Sequence, residues 1–293
     1  MKKMYVGPKQ LTIENTDFFD YSVTLFGNND SSNISYSENT LENVLKFEYW
    51  NPDNNQREIE VYNMLLKKTN EQFEIMAHDN RIVSQCDLPN NVKVICKNDD
   101  ELIELLNNKM KTRKLFCNDV PMLKYTYVLG KDFNYDKLCS NHERLVVQHP
   151  LGSGGSKTFI CDENNWFELK NKLIKEDTYI ISNYMENNIP YNIHCIIGKN
   201  QIEIFPPSMQ ELDVIDKIEY IGSFYDIKLT KKIKNKFREY TTKICLKLQK
   251  MGYRGVLGID YIYVENELYF IEINPRFQGS TRQLDKLLID NNG

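Results

Sequence analysis

The sequence lacks the cysteine and histidine patterns of metal-binding and disulfide-bonded proteins. Its seven cysteines are odd in number and scattered along 293 residues, and no Cys-x-x-Cys pair occurs. Neither a zinc module nor a disulfide framework is therefore indicated, and a reducing cytoplasm is the expected location. The four histidines have no metal-ligand spacing, so we expect surface positions or hydrogen-bonded core positions for them.

Long apolar runs and a strong net charge are also missing. No apolar run is long enough to span a bilayer, and the first residues lack the apolar core of a signal peptide. The formal net charge of -4 gives no overall attraction to nucleic acid or to an anionic membrane. We therefore expect neither nucleic acid nor a membrane as a partner.

The first 108 residues contain no glycine fingerprint for a dinucleotide. Met4–Pro8 and Val92–Cys96 have the composition of short strands. Asn98 precedes an acidic first turn, which suits the positive end of a helix dipole. Strands alternating with helices predict a small α/β domain in this part of the chain.

Two apolar strands near the C-terminus contain acidic and amide side chains. Their β-branched and aromatic residues predict one strand at about Val256–Val264 and another at about Leu268–Ile273. Asp260 lies on the first strand. Glu272 and Asn274 are two residues apart, so their side chains leave the same face of the second.

The length of the connection decides whether these carboxylates meet. A two-residue loop would put Asp260 and Glu272 on opposite faces, whereas an odd loop such as Glu265–Glu267 would set them opposite each other. We therefore predict a three-residue connection, with Asn266 or Glu267 near the left-handed region. Clustered oxygen ligands of this kind are typical of a divalent-cation site. An ordinary hairpin with exposed acids is the alternative.

A glycine-serine loop between two strands is the second chemical feature. Predicted strands at Leu145–Gln148 and Thr158–Cys161 flank Gly152–Lys157, whose sequence is Gly-Ser-Gly-Gly-Ser-Lys. Glycines let backbone N–H groups approach a phosphate closely. The loop does not match the strand-to-helix phosphate loop with a terminal Gly-Lys-Ser/Thr. A flexible hairpin turn is the alternative interpretation.

Three other segments carry weaker signals. A basic helix that ends near Asn118–Asp119 has side chains that could reach phosphates, or it has a solvated face. A strand pair within Thr178–Ile197 leads past Glu186, and such an edge could hold an adenine and a ribose, or be a plain buried pair. Pro206–Gln210 is predicted to be irregular.

The clearest predicted helix is Thr230–Met251. Its apolar residues recur at spacings of three and four, which gives one apolar stripe, and its lysine-rich outer face is interpreted as solvated. Thr230 can cap its start and Gly252 its end.

Taken in order, residues 92 to 282 resemble the ATP-grasp superfamily of carboxylate–amine and carboxylate–thiol ligases. The most specific part is Gly258-Ile-Asp260 followed by Phe270-Ile-Glu-Ile-Asn-Pro-Arg276. The resemblance implies an α/β (α+β) fold class in which two α+β subdomains clamp ATP.

The resemblance also implies a domain organisation. A small α/β domain in residues 1–108 would precede an ATP-grasp domain in residues 109–293. Within the latter, residues 109–190 would form the subdomain with the glycine loop, and residues 191–293 the subdomain with the metal ligands.

Site residues follow from the resemblance as well. Asp260, Glu272 and Asn274 would bind two magnesium ions that bridge the ATP phosphates, with manganese as an alternative ion. Arg276 would be catalytic, beside the transferred phosphate. The implied nucleotide-binding residues are Lys109, Gln148, Gly152, Ser153, Gly154, Gly155, Ser156, Tyr184, Met185 and Glu186.

One position departs from the family pattern. The strand before the glycine loop commonly carries a lysine that contacts the nucleotide, and here the residue is Gln148. Glutamine can form hydrogen bonds but supplies no positive charge. Nucleotide binding should therefore weaken unless Lys157 or Arg276 compensates.

The implied function is an ADP-forming ligase. Such an enzyme activates a carboxylate, of an amino acid or a peptide, as an acyl phosphate and joins it to an amine. The partner would be a small-molecule or peptide substrate, and a homodimer is compatible with this function. Two alternatives stay open: a non-catalytic ATP-binding regulatory or interaction protein, which Gln148 favours, and a kinase on the same fold.

Overall fold

The computed structural model describes residues 2–7, 21–24, 59–60, 63, 67, 72–139, 143–152, 154–214, 218–281 and 283–284. Contacts within the chain divide it into two units, and neither is continuous in sequence. The first unit comprises Met1–Ile103, Gly252–Gly255 and Arg276–Gly293, and the second comprises Glu104–Met251 and Val256–Pro275.

A parallel sheet organises the first unit. Its strands, in the order β2-β1-β3-β4, are β1 (Lys2–Gly7), β2 (Tyr21–Thr24), β3 (Phe73–Ala77) and β4 (Val92–Val94). Helix α1 (Asn80–Ser84) follows β3, and Asp79 caps it by accepting a hydrogen bond of 3.0 Å from the N–H of Arg81. Apolar side chains of the sheet, among them Val6 and Ile75, are buried against this helix. The predicted α/β arrangement is confirmed for the described residues.

Helix α2 (Asp100–Asn107) has the acidic first turn predicted for it, with Asp100 and Glu101. Asp99 accepts a hydrogen bond of 2.9 Å from the N–H of Glu101. A carboxylate at this end stabilises the helix because it satisfies an N–H that has no partner within the helix.

An antiparallel sheet forms the earlier part of the second unit. Its strands, in the order β5-β8-β6-β7, are β5 (Tyr125–Leu129), β6 (Leu145–Gln148), β7 (Thr158–Cys161) and β8 (Thr178–Asn183). The bounds of β6 and β7 are those predicted for the strands beside the glycine loop. The accompanying helices are α3 (Lys109–Phe116), α4 (Tyr135–Leu138), α5 (Trp166–Lys172) and a 3-10 turn (Gly130–Asp132). Phe133, Val147 and Cys161 are fully buried in the core of this sheet.

A second sheet forms the later part of this unit. Its order is β12-β11-β9-β13-β14, and β10 pairs with β9. The strands are β9 (Ile189–Ile197), β10 (Ile202–Ile204), β11 (Ser208–Val214), β12 (Ile218–Phe224), β13 (Gly255–Val264) and β14 (Glu267–Asn274). The prediction that Pro206–Gln210 is irregular is wrong from Ser208 onward. Ser208 and Met209 pair with Asn192 and Tyr191 of β9, and this pairing makes the segment a strand.

Helix α6 (Lys231–Lys250) agrees with its prediction. Thr230 is the N-cap, and its side chain accepts a hydrogen bond of 3.4 Å from the N–H of Ile233. Gly252 follows the helix with φ +95, a left-handed conformation that glycine adopts without strain. Phe237, Ile244 and Leu248 of the predicted apolar stripe are buried.

No helix in the described ranges is long and apolar enough to cross a membrane.

Candidate active site

The β13–β14 hairpin brings two carboxylates together. Asp260 lies directly opposite Glu272 in the antiparallel register, and Gly258 lies opposite Asn274. Residues opposite each other share a face of the sheet. The structure therefore confirms that Asp260, Glu272 and Asn274 lie on one face.

The connection of this hairpin differs from its prediction. The turn has two residues, Glu265 and Asn266, with φ of +52 and +64, and not the three predicted. Positive φ at both positions is typical of the two-residue turns that match strand twist. The register shifts by one between Asp260 and Tyr261, so that Ile271 is an extra residue on β14. This bulge restores the shared face that the short turn alone would have removed.

Three amide groups surround the Asp260 carboxylate. Asn192 of β9 donates to Oδ1 at 2.6 Å and Gln210 of β11 donates to Oδ1 at 3.3 Å. Asn274 donates to Oδ2 at 2.8 Å. Such donors offset the cost of withdrawing a carboxylate from water. Sequence reasoning missed Asn192 and Gln210. The signal for Asn192 was an amide in a largely apolar strand, and Gln210 had no such signal because its strand also contains Glu211 and Asp213.

Lys109 connects the glycine loop to the carboxylates. Its Nζ lies 2.7 Å from the carbonyl oxygen of Gly152 and 3.3 Å from Oε2 of Glu272. Its backbone N–H donates to the carbonyl of Pro150 at 2.9 Å. Asn108 caps α3 by accepting from two N–H groups, which fixes the first turn that carries Lys109. The ammonium is buried, so its pairing with Glu272 is weakly screened by solvent.

Arg113 is a second buried cation, and sequence reasoning missed it. Its Nη2 donates to Oε1 of Gln148 at 3.0 Å, and its Nε makes a long contact of 3.5 Å with the carbonyl of Ile271. Burial lowers the pKa of Arg113, and the negative charge of Glu272 acts in the opposite direction. The signal was its position four residues after Lys109, because residues at this spacing lie on one helix face.

The glycine loop has a left-handed backbone at two of its glycines. Gly154 and Gly155 have φ of +60 and +81. A Cβ on Gly155 would lie 1.6 Å from the carbonyl oxygen of Ile218 in β12, so the loop approaches that strand with no room for a side chain. Ser156 is exposed, and Ser153 lies outside the described residues.

A comparison of the sequence with known families covers most of this second unit. The ATP-grasp domain matches residues 106–280, which is more than half of the chain. The chain belongs to the ATP-grasp family. The resemblance and the fold class inferred from the sequence are thereby confirmed.

Individual ATP-grasp proteins resemble the chain at low identity. A [Butirosin acyl-carrier protein]--L-glutamate ligase of Niallia circulans is 25% identical over 194 residues, which are 60% of this chain and 44% of that ligase. The chain thus spans less than half the length of this relative.

Solved structures share the fold. N5-carboxyaminoimidazole synthetase from Staphylococcus aureus, complexed with ADP, has a TM-score of 0.61 at 15% identity, over 95% of this chain and 71% of that one. The biotin carboxylase domain of Hydrogenobacter thermophilus 2-oxoglutarate carboxylase has a TM-score of 0.65 at 14% identity. The match covers 95% of this chain and 65% of the chain of that biotin carboxylase domain.

The candidate adenine and ribose residues of this ATP-grasp chain lie around Arg144. The N–H of Tyr184 donates to the carbonyl of Arg144 at 2.7 Å, and the carbonyl of Met185 accepts from Asn188 at 2.7 Å. The guanidinium of Arg144 lies 4.3 Å from the Tyr184 ring centroid and forms an ion pair with Glu186. The backbone N–H of Tyr184, the carbonyl of Met185 and the carboxylate of Glu186 therefore already have partners within the chain.

The predicted catalytic residue, Arg276, belongs to the first unit. Burial, together with the nearby charge of Arg276, lowers the pKa of His78 to about 4. Burial tends to raise the pKa of Asp79, but hydrogen bonds from Arg81, together with the charges of Arg81 and Arg276, hold it below its ordinary value. Arg276 is therefore a cation close to a neutral imidazole and an ionised carboxylate.

The fit of a metal ion to the ATP-grasp hairpin depends on oxygen donors. In the part of the chain that the structure describes, no group of three or more His, Cys, Asp and Glu side chains could hold a metal ion. The hairpin instead offers two facing carboxylates, Asp260 and Glu272, with the Asn274 amide 2.8 Å from Asp260. An amide carries an oxygen as well as the nitrogen that now donates. Oxygen donors from carboxylates and amides suit magnesium, so these residues fit the ion.

Proposed function

We propose that this protein is an ATP-dependent ligase. It would activate a carboxylate as an acyl phosphate, release ADP and join the acyl group to an amine. The observation that carries this proposal is the Asp260–Glu272 pair, which Lys109 connects to the glycine loop. These groups together suit a polyphosphate and its counter-ions.

Asp260, Glu272 and Asn274 are the proposed magnesium ligands. Two ions are proposed, with manganese as a substitute. Bound there, magnesium would offset the negative charge of the ATP phosphates. The amide donors Asn192 and Gln210 would hold the Asp260 carboxylate in position.

Lys109 and the glycine loop are the proposed phosphate-binding groups. The buried Lys109 ammonium would meet a phosphate where it now meets Glu272, and backbone N–H groups of Gly152–Ser156 would close over the phosphates. Tyr184, Met185 and Glu186 are proposed for the nucleoside. Arg276 would stabilise negative charge that develops on the substrate oxygen.

The substrates proposed are an amino-acid or peptide carboxylate and an amine. The glutamate ligase of Niallia circulans supports this class, because its name describes the joining of an amino acid to an acceptor. The first step would form a bond between a carboxylate oxygen and the γ-phosphorus, with ADP as leaving group. In the second step the amine would attack the acyl carbon, and inorganic phosphate would leave.

An ADP-release assay over a panel of carboxylates and amines tests the proposal. We expect magnesium-dependent ADP formation with at least one pair, accompanied by an amide in the mass spectrum. Glu272→Gln should lower the rate on the order of 100-fold, because it removes a metal ligand that offsets transition-state charge.

Glu203→Gln is the matched control, since Glu203 is an exposed acid on β10. Its rate should equal that of the wild type. Undiminished turnover in Glu272→Gln would overturn the metal assignment. A stable phosphorylated product would instead identify a kinase. Nucleotide binding without any ADP formation would favour the non-catalytic module that Gln148 suggests.

A further inference from the structure

Gln148 supplies no positive charge to the proposed phosphate site. The ATP-grasp resemblance places a nucleotide-binding lysine at this position, and an amide supplies no net charge. Gln148 is buried, 8% exposed, at the end of the strand that leads into the glycine loop. A polyphosphate bound beside Asp260 and Glu272 needs cations from this chain in addition to any metal ion.

The guanidinium of Arg113 donates a hydrogen bond to the side chain of Gln148. Arg113 Nη2 is 3.0 Å from Gln148 Oε1, and Arg113 is only 7% exposed. Gln148 Nε2 makes a long contact of 3.4 Å with Thr158 Oγ1. The hydrogen bond to Arg113 fixes which end of the amide faces the helix, so the N–H end of Gln148 is turned away from Arg113.

A guanidinium buried to this extent requires a compensating anion. Withdrawing a cation from water costs several kcal/mol, by order of magnitude, unless it is paired. Here the nearby carboxylate is Glu272, which Lys109 also contacts at 3.3 Å. If Glu272 bound a metal ion, both cations would lose part of their neutralising charge, and an anionic ligand in the site would restore it.

We propose that Arg113 supplies the positive charge at the nucleotide phosphates that Gln148 lacks, with the Gln148 amide lying between Arg113 and the phosphates. Arg113 polarises the amide, which makes the N–H end of Gln148 a stronger donor to a phosphate oxygen. The pair thus replaces one lysine by a cation and a neutral intermediary. This inference rests on the proposed function only in that the ligand is an adenine nucleotide.

Nucleotide binding measured by calorimetry in magnesium buffer tests the inference without turnover. We expect Arg113→Gln to weaken ADP and ATP binding by about 10- to 100-fold, because the phosphates lose the attraction of a nearby buried cation. Binding of adenosine, which has no phosphate, should be unchanged. Lys111→Gln removes the same charge from an exposed position of the same helix, and we expect it to bind ADP like the wild type.

A second experiment restores a positive charge at position 148 after the charge at position 113 has been removed. Arg113→Gln combined with Gln148→Lys should recover ADP affinity to within a few-fold of the wild type. Should Arg113→Gln fail to fold, Arg113→Met combined with Gln148→Met removes both polar partners together and leaves neither unpaired. This apolar pair should lose affinity for ADP and keep affinity for adenosine.

Four results would overturn the inference. They are unchanged ADP affinity in Arg113→Gln, an equal loss for adenosine and ADP, an equal loss in Lys111→Gln, and no recovery in the lysine double variant. A wild-type protein that binds no nucleotide would overturn the proposed function as well. A wild type that binds ADP, with a variant that binds it equally well, would overturn only the role of Arg113.

Discussion

At the scale of single residues, His194 shows how burial changes the pKa of a side chain. It is 1% exposed on β9, and burial lowers its pKa from 6.5 to about 4. The Tyr225 hydroxyl lies 3.3 Å from Nδ1. The imidazole is therefore neutral in the folded protein across the range in which an unfolded chain would become protonated.

This depressed pKa predicts loss of stability in acid. Above pH 6.5 both the folded and the unfolded states hold a neutral His194, and as the pH falls towards 4 only the unfolded state gains a proton. The free energy of unfolding should fall by about 3 kcal/mol more in the wild type than in His194→Asn between pH 7 and pH 4. Urea-unfolding curves measure this difference. If the free energy of unfolding changed with pH by the same amount in both proteins, the prediction would be contradicted. His78 is present in both proteins, so its own titration cancels in the comparison.

Single residues were predictable where the partners are near in sequence. Glu272 and Asn274 lie on one strand, so the two-residue repeat of a strand was enough to place them on one face, whereas Asp260 shares that face because of a bulge that was not predicted. Asn192 and Gln210 approach Asp260 from 68 and 50 residues away. Such pairings follow from the order of strands in the sheet, which local sequence does not encode.

At the scale of elements, the glycine loop and β12 are in close contact. An alanine at position 155 would place its Cβ 1.6 Å from the Ile218 carbonyl oxygen, whereas a Cβ at position 154 meets nothing within 4 Å. Backbone atoms on β12 cannot yield as a flexible side chain would. The loop itself would therefore have to move away from β12.

This contrast predicts unequal effects of two similar substitutions. Gly155→Ala should weaken ADP binding on the order of 10-fold, since a displaced loop places its N–H groups poorly around the phosphates. Gly154→Ala should have a smaller effect, with a local strain of about 1–2 kcal/mol from its left-handed backbone. Calorimetric ADP affinities compare the two. Equal affinities would mean that the contact with Ile218 does not hold the loop.

The hairpin turn gives a second prediction at this scale. Asn266 has φ +64, and a β-branched residue there is strained. Asn266→Val should lower the free energy of unfolding by about 1–2 kcal/mol. Asn266→Gly is the control, because both variants lose the 3.2 Å hydrogen bond from Tyr263 to the Asn266 side chain and only valine adds strain. The unfolding temperature of Asn266→Gly should therefore be higher than that of Asn266→Val. The reverse order would contradict the left-handed turn.

Elements were predictable where their signals are local. Helix α6 has an apolar stripe, a threonine cap and a closing glycine within one segment, and its bounds were predicted closely. Strand β11 was missed because two prolines precede it and Glu211 and Asp213 lie within it. Its pairing with β9 and β12 outweighs this weak propensity.

At the scale of the whole molecule, bound nucleotide should stabilise the folded chain. A ligand that binds only the folded state adds about 2.7 kcal/mol at 100 times its dissociation constant. We expect magnesium and ADP together to raise the unfolding temperature by roughly 5 °C or more.

Removal of the metal ion is the matching control. EDTA should abolish most of the increase, and Glu272→Gln should show little of it even with magnesium present. Differential scanning calorimetry measures each case. An increase that is the same with magnesium and with EDTA would indicate that the nucleotide binds without a metal ion.

The bulge at Ile271 has a consequence for how such chains diverge. A three-residue turn without a bulge and a two-residue turn with one contain the same number of residues between Asp260 and Glu272. A lineage can therefore pass from one hairpin to the other by point substitutions, with no insertion or deletion. Aligned sequences would show no gap, although every residue pair between the bulge and the turn had changed partner.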